Sequence, residues 1–209
     1  MRKRISDNRG FSLVELIVVI AIMAILLGTM AVSISQISKF RAKECRNKMA
    51  ATLNAIQTTA LSKSTGGSTV AEAVTAGTYA TFFYWNNDKS IYMISTVQGE
   101  VKDVQKVGRS NVILQFDYSS GSTATLSDVS GNPTVGGISY HRSLSKNTTP
   151  ADIEKIRDAA KMQGVNIAFD RETGAFLQDT NGLLTGIHAI KGDYQYDIVV
   201  HPKTGKVVK

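Results

Sequence analysis

The chain has 209 residues, 43% of them AVILMFWYC and 20% charged, enough apolar material to bury a core, so disorder is excluded as the state of the whole chain. Its formal charge of +7 is concentrated at one end: residues 1–64 hold ten Lys/Arg against three Asp/Glu, and the remainder holds 14 of each, which disfavours a uniformly basic nucleic-acid-binding domain. A single cysteine, Cys45, rules out an intrachain disulfide and any CxxC zinc or redox site.

The first ten residues are a basic leader, with Arg2, Lys3, Arg4 and Arg9 against Asp7. From Arg9 to Lys39 the only charged side chain is Glu15, and Leu16 to Leu27 is an unbroken run of twelve AVILM residues. Extended to Val32 as a helix, this stretch measures about 25 Å at ~1.5 Å per residue, the scale of a bilayer core. A removable secretory signal would have an apolar region of only ~7 to 15 residues and a small-x-small cleavage site, and no convincing one follows Leu27. The leader charges lie closer to the apolar edge than Lys39, Arg41, Lys43, Arg46 and Lys48 on the other flank, so the expected orientation keeps the N-terminus in the cytoplasm.

Glu15 is not explained by a plain anchor, because an acid at the centre of a membrane helix costs ~2.5 to 3.5 kcal/mol on insertion scales, relieved only near an end. A cut between Gly10 and Phe11 would place a new amine four residues before this carboxylate. A neighbouring copy's amine could then answer the acid in a low-dielectric site and set the register between subunits. The plainer alternative is a snorkelling Glu at the end of an ordinary anchor.

The segment Arg9-Gly10-Phe11-Ser12-Leu13-Val14-Glu15-Leu16-Ile17-Val18-Val19-Ile20-Ala21-Ile22 resembles the prepilin signature of type IV pilins and of the related secretion and competence pseudopilins. The resemblance is strong from residue 9 to about 35 and otherwise architectural. It implies a leader, residues 1–10, removed after Gly10 by a prepilin peptidase, with Phe11 becoming the N-methylated first residue and Glu15 pairing with a neighbour's amino terminus. It implies storage in the cytoplasmic membrane as a single-pass precursor, with membrane lipid as partner before assembly. Copies of the chain then form a homopolymeric surface filament, with a pilus assembly platform and motor as further partners. Members often lose helical regularity partway along the apolar segment at a proline; here no proline precedes Pro133, and Gly28 is the only breaker.

Beyond Val32 the pattern becomes amphipathic, with Ile34, Ile37, Phe40, Cys45, Met49, Leu53, Ile56 and Ala60 recurring every three to five residues. The expected organisation is therefore a helix over 11–64, apolar over 11–32 and amphipathic over 33–64, then a globular head over 65–209. As one helix the span 11–63 would be about 80 Å long at ~1.5 Å per residue. Its striped half lacks the sustained heptads of a coiled coil. Ser64-Thr65-Gly66-Gly67-Ser68 reads as the link.

The head reads as α+β with a mostly antiparallel sheet of four or more strands packed on the striped half of the first helix, a type IV pilin-like arrangement. Thr69-x-x-Glu72 resembles a capping box opening a short helix that stops at Gly77. Thr78–Trp85 and Ile91–Val97 are aromatic and β-branched runs joined by Asn86-Asn87-Asp88-Lys89, a hairpin signal. Alternation should bury about half of Phe82, Phe83, Tyr84 and Trp85. The spacing of Val101, Val104 and Val107 suggests a turn of helix. Residues 111–118 and 123–126 form a candidate strand pair, and 138–142 a further strand. Thr149 as cap, Pro150 at the first position and Gly164 past the end bound a helix over 150–163. Residues 169–176 and 200–207 share hairpin turn chemistry.

No catalytic motif accompanies His141, His188 or His201, each read as a surface or structural histidine. An enzyme would need a concavity uniting a histidine with carboxylates. Asp179, Asp193 and Asp197 near Asn181 and Gly182 do not have the spacing of a calcium loop, so no metal and no cofactor is expected. The basic run Lys39 to Lys48 is expected at a membrane surface or against acidic groups of neighbouring subunits, not on nucleic acid. The function expected is structural and non-enzymatic: a filament subunit cleaved after Gly10. The alternatives are a minor pilin or pseudopilin of a type II secretion or DNA-uptake apparatus, or a single-span anchored binding protein.

Overall fold

A computed structural model describes residues 12–63, 67–109, 111–136, 143–144 and 148–209, leaving aside the side chains of 30–35 and of Ala76. The leader, Gly10, Phe11, most of the 64–68 link, the 138–142 strand and His141 lie outside the described residues. The chain divides into two compact units, residues 1–38 and 39–209. It is α+β: an N-terminal helix followed by antiparallel sheets.

Helix α1, Leu13–Lys63, contributes to both units. Within the second unit Cys45, Met49, Leu53, Ile56 and Ala60 are buried at helical spacing and enter the main core. The docked stripe is shorter than its sequence pattern, because Ile37 is 48% and Phe40 75% exposed. The side chain of Ile34 lies outside the described residues.

Two sheets, where one was expected, share that core. In the first, β1 (Thr78–Trp85), β2 (Ser90–Val97), β3 (Glu100–Gly108) and β6 (Val165–Ala168) run in the order β3-β2-β1-β6. In the second, β4 (Ile113–Tyr118), β5 (Thr123–Leu126), β7 (Leu184–Lys191), β8 (Tyr194–His201) and β9 (Lys206–Val208) run in the order β5-β4-β7-β8-β9. The paired runs over 111–118 and 123–126 therefore form β4 and β5.

All eight residues of β1 are buried, not half of them. One face, with Ala80, Phe82 and Tyr84, joins the core under α1. The other, with Phe83 and Trp85, packs with Tyr92, Ile94, Leu144, Ile156 and Ala160. The last two belong to helix α3, Pro150–Gln163, whose Thr149 cap accepts from the Asp152 amide as its sequence predicts. A strand covered by helices on both sides has no solvent face on which polar residues could alternate. The short helix α2, Val70–Ala76, is capped by Thr69, while the Glu72 carboxylate reaches one residue further back than expected, to the Ser68 amide at 2.6 Å.

The valines at 101, 104 and 107 lie on strand β3, not on a helical turn. Opposite Ser95 and Thr96 the ladder slips, pairing Asp103 and Val101 and leaving Lys102 as the extra residue. Such a bulge resets the alternation, so Val101 and Val104, three residues apart, pack on the same cluster. The spacing imitates a helix because the bulge supplies the odd residue.

The two similar turns meet in space. Phe169 pairs with Phe176 and Val200 with Val207, and the Phe176 amide donates to the Pro202 carbonyl at 2.9 Å. From α1, Gln57 Nε2 donates to the carbonyls of Gly174 (2.8 Å) and Thr204 (3.0 Å). Gly205, at φ +65°, brings its backbone so close to the Gly174 carbonyl that a Cβ would collide with it.

Candidate functional site

The start of α1 is an exposed apolar surface. Leu13, Ile17, Ile20, Ile25 and Leu27 are each more than half exposed, and Val18 and Val19 nearly so. β-branched Ile and Val are ordinary in such a helix because the apolar surroundings, not intrinsic propensity, decide. Gly28 lies inside α1, with open space around it, and Thr29 Oγ1 donates to the Leu26 carbonyl at 2.9 Å. Among the described residues no helix is long and apolar enough to cross a membrane. The apolar stretch whose side chains are described runs from Leu13 to Thr29.

Glu15, the one charge on this surface, is built into the helix end. Its Oε2 accepts from the Ser12 amide at 3.1 Å, and its own amide donates to Ser12 Oγ at 3.3 Å. This is a reciprocal capping box, satisfying two amide donors that the first turn would otherwise leave unpaired. The signal, Ser-x-x-Glu, stands in the sequence in the same form as Thr69-x-x-Glu72, directly beside the apolar run. The carboxylate also lies where the positive end of the helix dipole favours it. Gly10 and Phe11, which would supply the cut and the new amine, lie outside the described residues.

Among the described residues the basic run on α1 is only partly neutralised. Glu44 pairs with Lys48 at 2.7 Å and with Arg109 at 4.0 Å, and the hydrogen bond from Lys48 holds its carboxyl below the usual range. The Arg46 guanidinium stacks 5.2 Å over the Tyr196 ring. Cys45, between these charges but facing inward, is buried, and burial pushes its thiol up to about 12, so it packs as a small apolar residue.

Of the acidic residues near Asn181 and Gly182, Asp179 closes a turn with Gly182 and Asp193 follows the other end of β7. At ~3.4 Å per residue the eight residues of β7 hold them roughly 25 Å apart. Among the described residues no group of three His, Cys, Asp or Glu is arranged to hold a metal.

His188 is placed by three strands that no local pattern connects. Its Nδ1 lies 2.7 Å from Asp197 Oδ1 and its Nε2 2.7 Å from Asp117 Oδ2. Gln115 donates to Asp117 and Gln195 to Asp197. Burial draws the imidazolium down, but the bonds to Asp197 and Asp117 outweigh it and hold His188 above its ordinary value. The Gln115 bond lowers Asp117 and the Gln195 bond lowers Asp197, with His188 adding to both. The trio lies on the outer face of the second sheet, with Asp197 60% exposed. Both ring nitrogens are committed to carboxylates, an arrangement that suits a doubly protonated cross-strand tie. It leaves no free nitrogen to act as a base.

The family model describing the prokaryotic N-terminal methylation motif matches residues 5–31. The chain thus carries the signature of type IV pilins and pseudopilins. No curated protein and no solved structure matches it.

Proposed function

We propose that this chain is a structural, non-enzymatic subunit of a type IV pilus-like surface filament. It is stored as a single-pass precursor in the cytoplasmic membrane with its N-terminus inside. Prepilin peptidase cleaves it after Gly10, Phe11 is methylated, and an assembly platform and motor draw it into a polymer of its own copies. The observation that carries this reading is the methylation motif over residues 5–31, whose stretch from Leu13 to Thr29 is an apolar helix with exposed side chains. Such a surface is stable in lipid and equally stable against identical helices. The exchange of lipid contact for close packing costs little, and small residues such as Ala21, Ala24 and Gly28 let backbones approach. Glu15 fixes the register by meeting the amine of a neighbouring Phe11, two charges each costly alone in a dry site and far less so together.

Mass spectrometry of the chain purified from its native cell envelope tests this. The expected N-terminal peptide begins at methylated Phe11. A mature chain still beginning at Met1 would replace the filament subunit with an ordinary anchored protein.

A further inference from the structure

We propose that the end of the head formed by the first turns of α1 in the second unit and the β7–β8 hairpin is a docking surface for anionic lipid headgroups, holding the stored precursor's head against the bilayer. The proposal rests on the membrane-stored reading above and adds to it a site, a ligand class and a head orientation.

The sequence supplies Lys39, Arg41 and Lys43 within about one helical turn, early in the amphipathic half of α1. The fold adds positive charge from distant strands. Arg109, after β3, is brought to Glu44 at 4.0 Å. The stacking of Arg46 on Tyr196 fixes this part of α1 beside β8, whose partner β7 ends at Lys191 opposite Tyr194. Arg41 and Lys191 are near enough to repel: burial first, and then the Arg41 guanidinium, hold Lys191 below the ordinary lysine range, with Asp128 opposing. Among the described residues the acids placed near these cations include Glu44, already shared by Lys48 and Arg109, with Asp128 near Lys191 and the exposed Asp193 at the hairpin tip. A folded head that gathers cations from α1, from the end of β3 and from the end of β7 presents a concentration of positive charge suited to an external anion.

Phe40 selects the anion's source. At 75% exposure it lines a shallow surface cleft with Lys43, Glu44 and Lys48, an aromatic ring beside lysines, suited to the boundary between headgroups and acyl chains. A soluble acidic partner would leave that ring in water. In sequence the cluster begins seven residues after Val32, where the apolar stretch ends, and a polybasic segment that closely follows a membrane span attracts anionic lipid strongly.

The test uses the full chain carrying Asp193→Cys, labelled at the hairpin tip with an environment-sensitive dye. Native Cys45 is buried and its thiol raised to about 12, so it stays unlabelled. The labelled chain is reconstituted into vesicles of phosphatidylcholine with and without phosphatidylglycerol. The expected result is flotation with both, and a blue shift of the dye only with phosphatidylglycerol, reversed by high salt. Replacing Lys39, Lys43 and Lys191 by Gln should abolish the shift while flotation and far-ultraviolet circular dichroism stay unchanged. Flotation with an identical dye signal in both lipids overturns the docking surface alone. A shift that follows protein density instead of lipid charge overturns it in favour of a second copy. Failure to float with either lipid overturns the membrane-stored reading as well.

Discussion

The Glu15 carboxylate serves the Ser12 amide within its own chain and, in the filament we propose, a neighbour's ammonium; different substitutions separate the two. Glu15→Gln keeps an acceptor for the Ser12 amide and removes the charge. Ser12→Ala removes the hydroxyl cap, at a cost of about 1 kcal/mol to the helix end, and keeps the charge. The expected outcome is that both variants are processed to Phe11, but pelleting and electron microscopy find filaments only with Ser12→Ala. Wild-type filament yield from Glu15→Gln would eliminate the charge pairing. His188 offers a second test at this scale. Its raised value means that its bonds contribute fully below 6.5 and are lost as pH rises through the folded value. The lowered values of Asp117 and Asp197 mean that theirs are present above 3.8 and lost as pH falls. The trio therefore stabilises most between these limits. With Asp197 largely exposed, its worth is under ~1 kcal/mol. Thermal unfolding in detergent should show a small loss of midpoint between mildly acidic and mildly alkaline pH that His188→Gln abolishes; an unchanged pH dependence in that variant would show the trio to be inert.

Among the elements, what the sequence made legible is what local chemistry decides. Thr149, Pro150 and Gly164 bound α3 because capping and proline geometry act within one turn. The Thr69 cap of α2 and the β4–β5 pair follow from similarly short signals. Three features escaped because their causes are distant. The β3 valines imitate a helix through a bulge imposed by β2. β1 is buried on both faces because α3 covers what would have been its solvent side. The cross-strand histidine tie unites residues from β4, β7 and β8 that share no sequence neighbourhood. The stripe on α1 was legible in kind but too long at its start, since periodicity shows which residues could be buried and not where the sheet ends. This gives a graded prediction along one helix. Leu53, fully buried between α1 and the sheets, should cost about 2 to 5 kcal/mol on change to Ala. Phe40→Ala, at the exposed end of the same stripe, should stay within about 0.5 kcal/mol. Denaturant unfolding followed by fluorescence of the buried Trp85 measures both, and similar losses at the two positions would show that the docked stripe extends to Phe40.

At the scale of the molecule, the buried core and the stretch to which we assign assembly lie in different parts of the chain. Among the described residues every buried apolar side chain lies at or beyond Ala42, and the three core clusters draw only on Cys45 and later positions. The exposed apolar side chains, conversely, are concentrated between Leu13 and Leu27. A filament subunit needs this division, because its N-terminal helix must pass from lipid to a packed polymer without the head unfolding. A chain beginning at Lys39, the first residue of the second unit, should therefore be soluble without detergent, monomeric by sedimentation, and cooperative in unfolding. Cys45 supplies an internal reporter of its integrity: buried, with its thiol raised to about 12, it should resist iodoacetamide equally in the truncated and the whole chain and react only with unfolding, since the thiolate is the nucleophile. Rapid alkylation of the truncated chain under native conditions, or its aggregation, would mean that the first 38 residues hold α1 onto the sheets as well as joining subunits, and the separation of folding from assembly would be withdrawn.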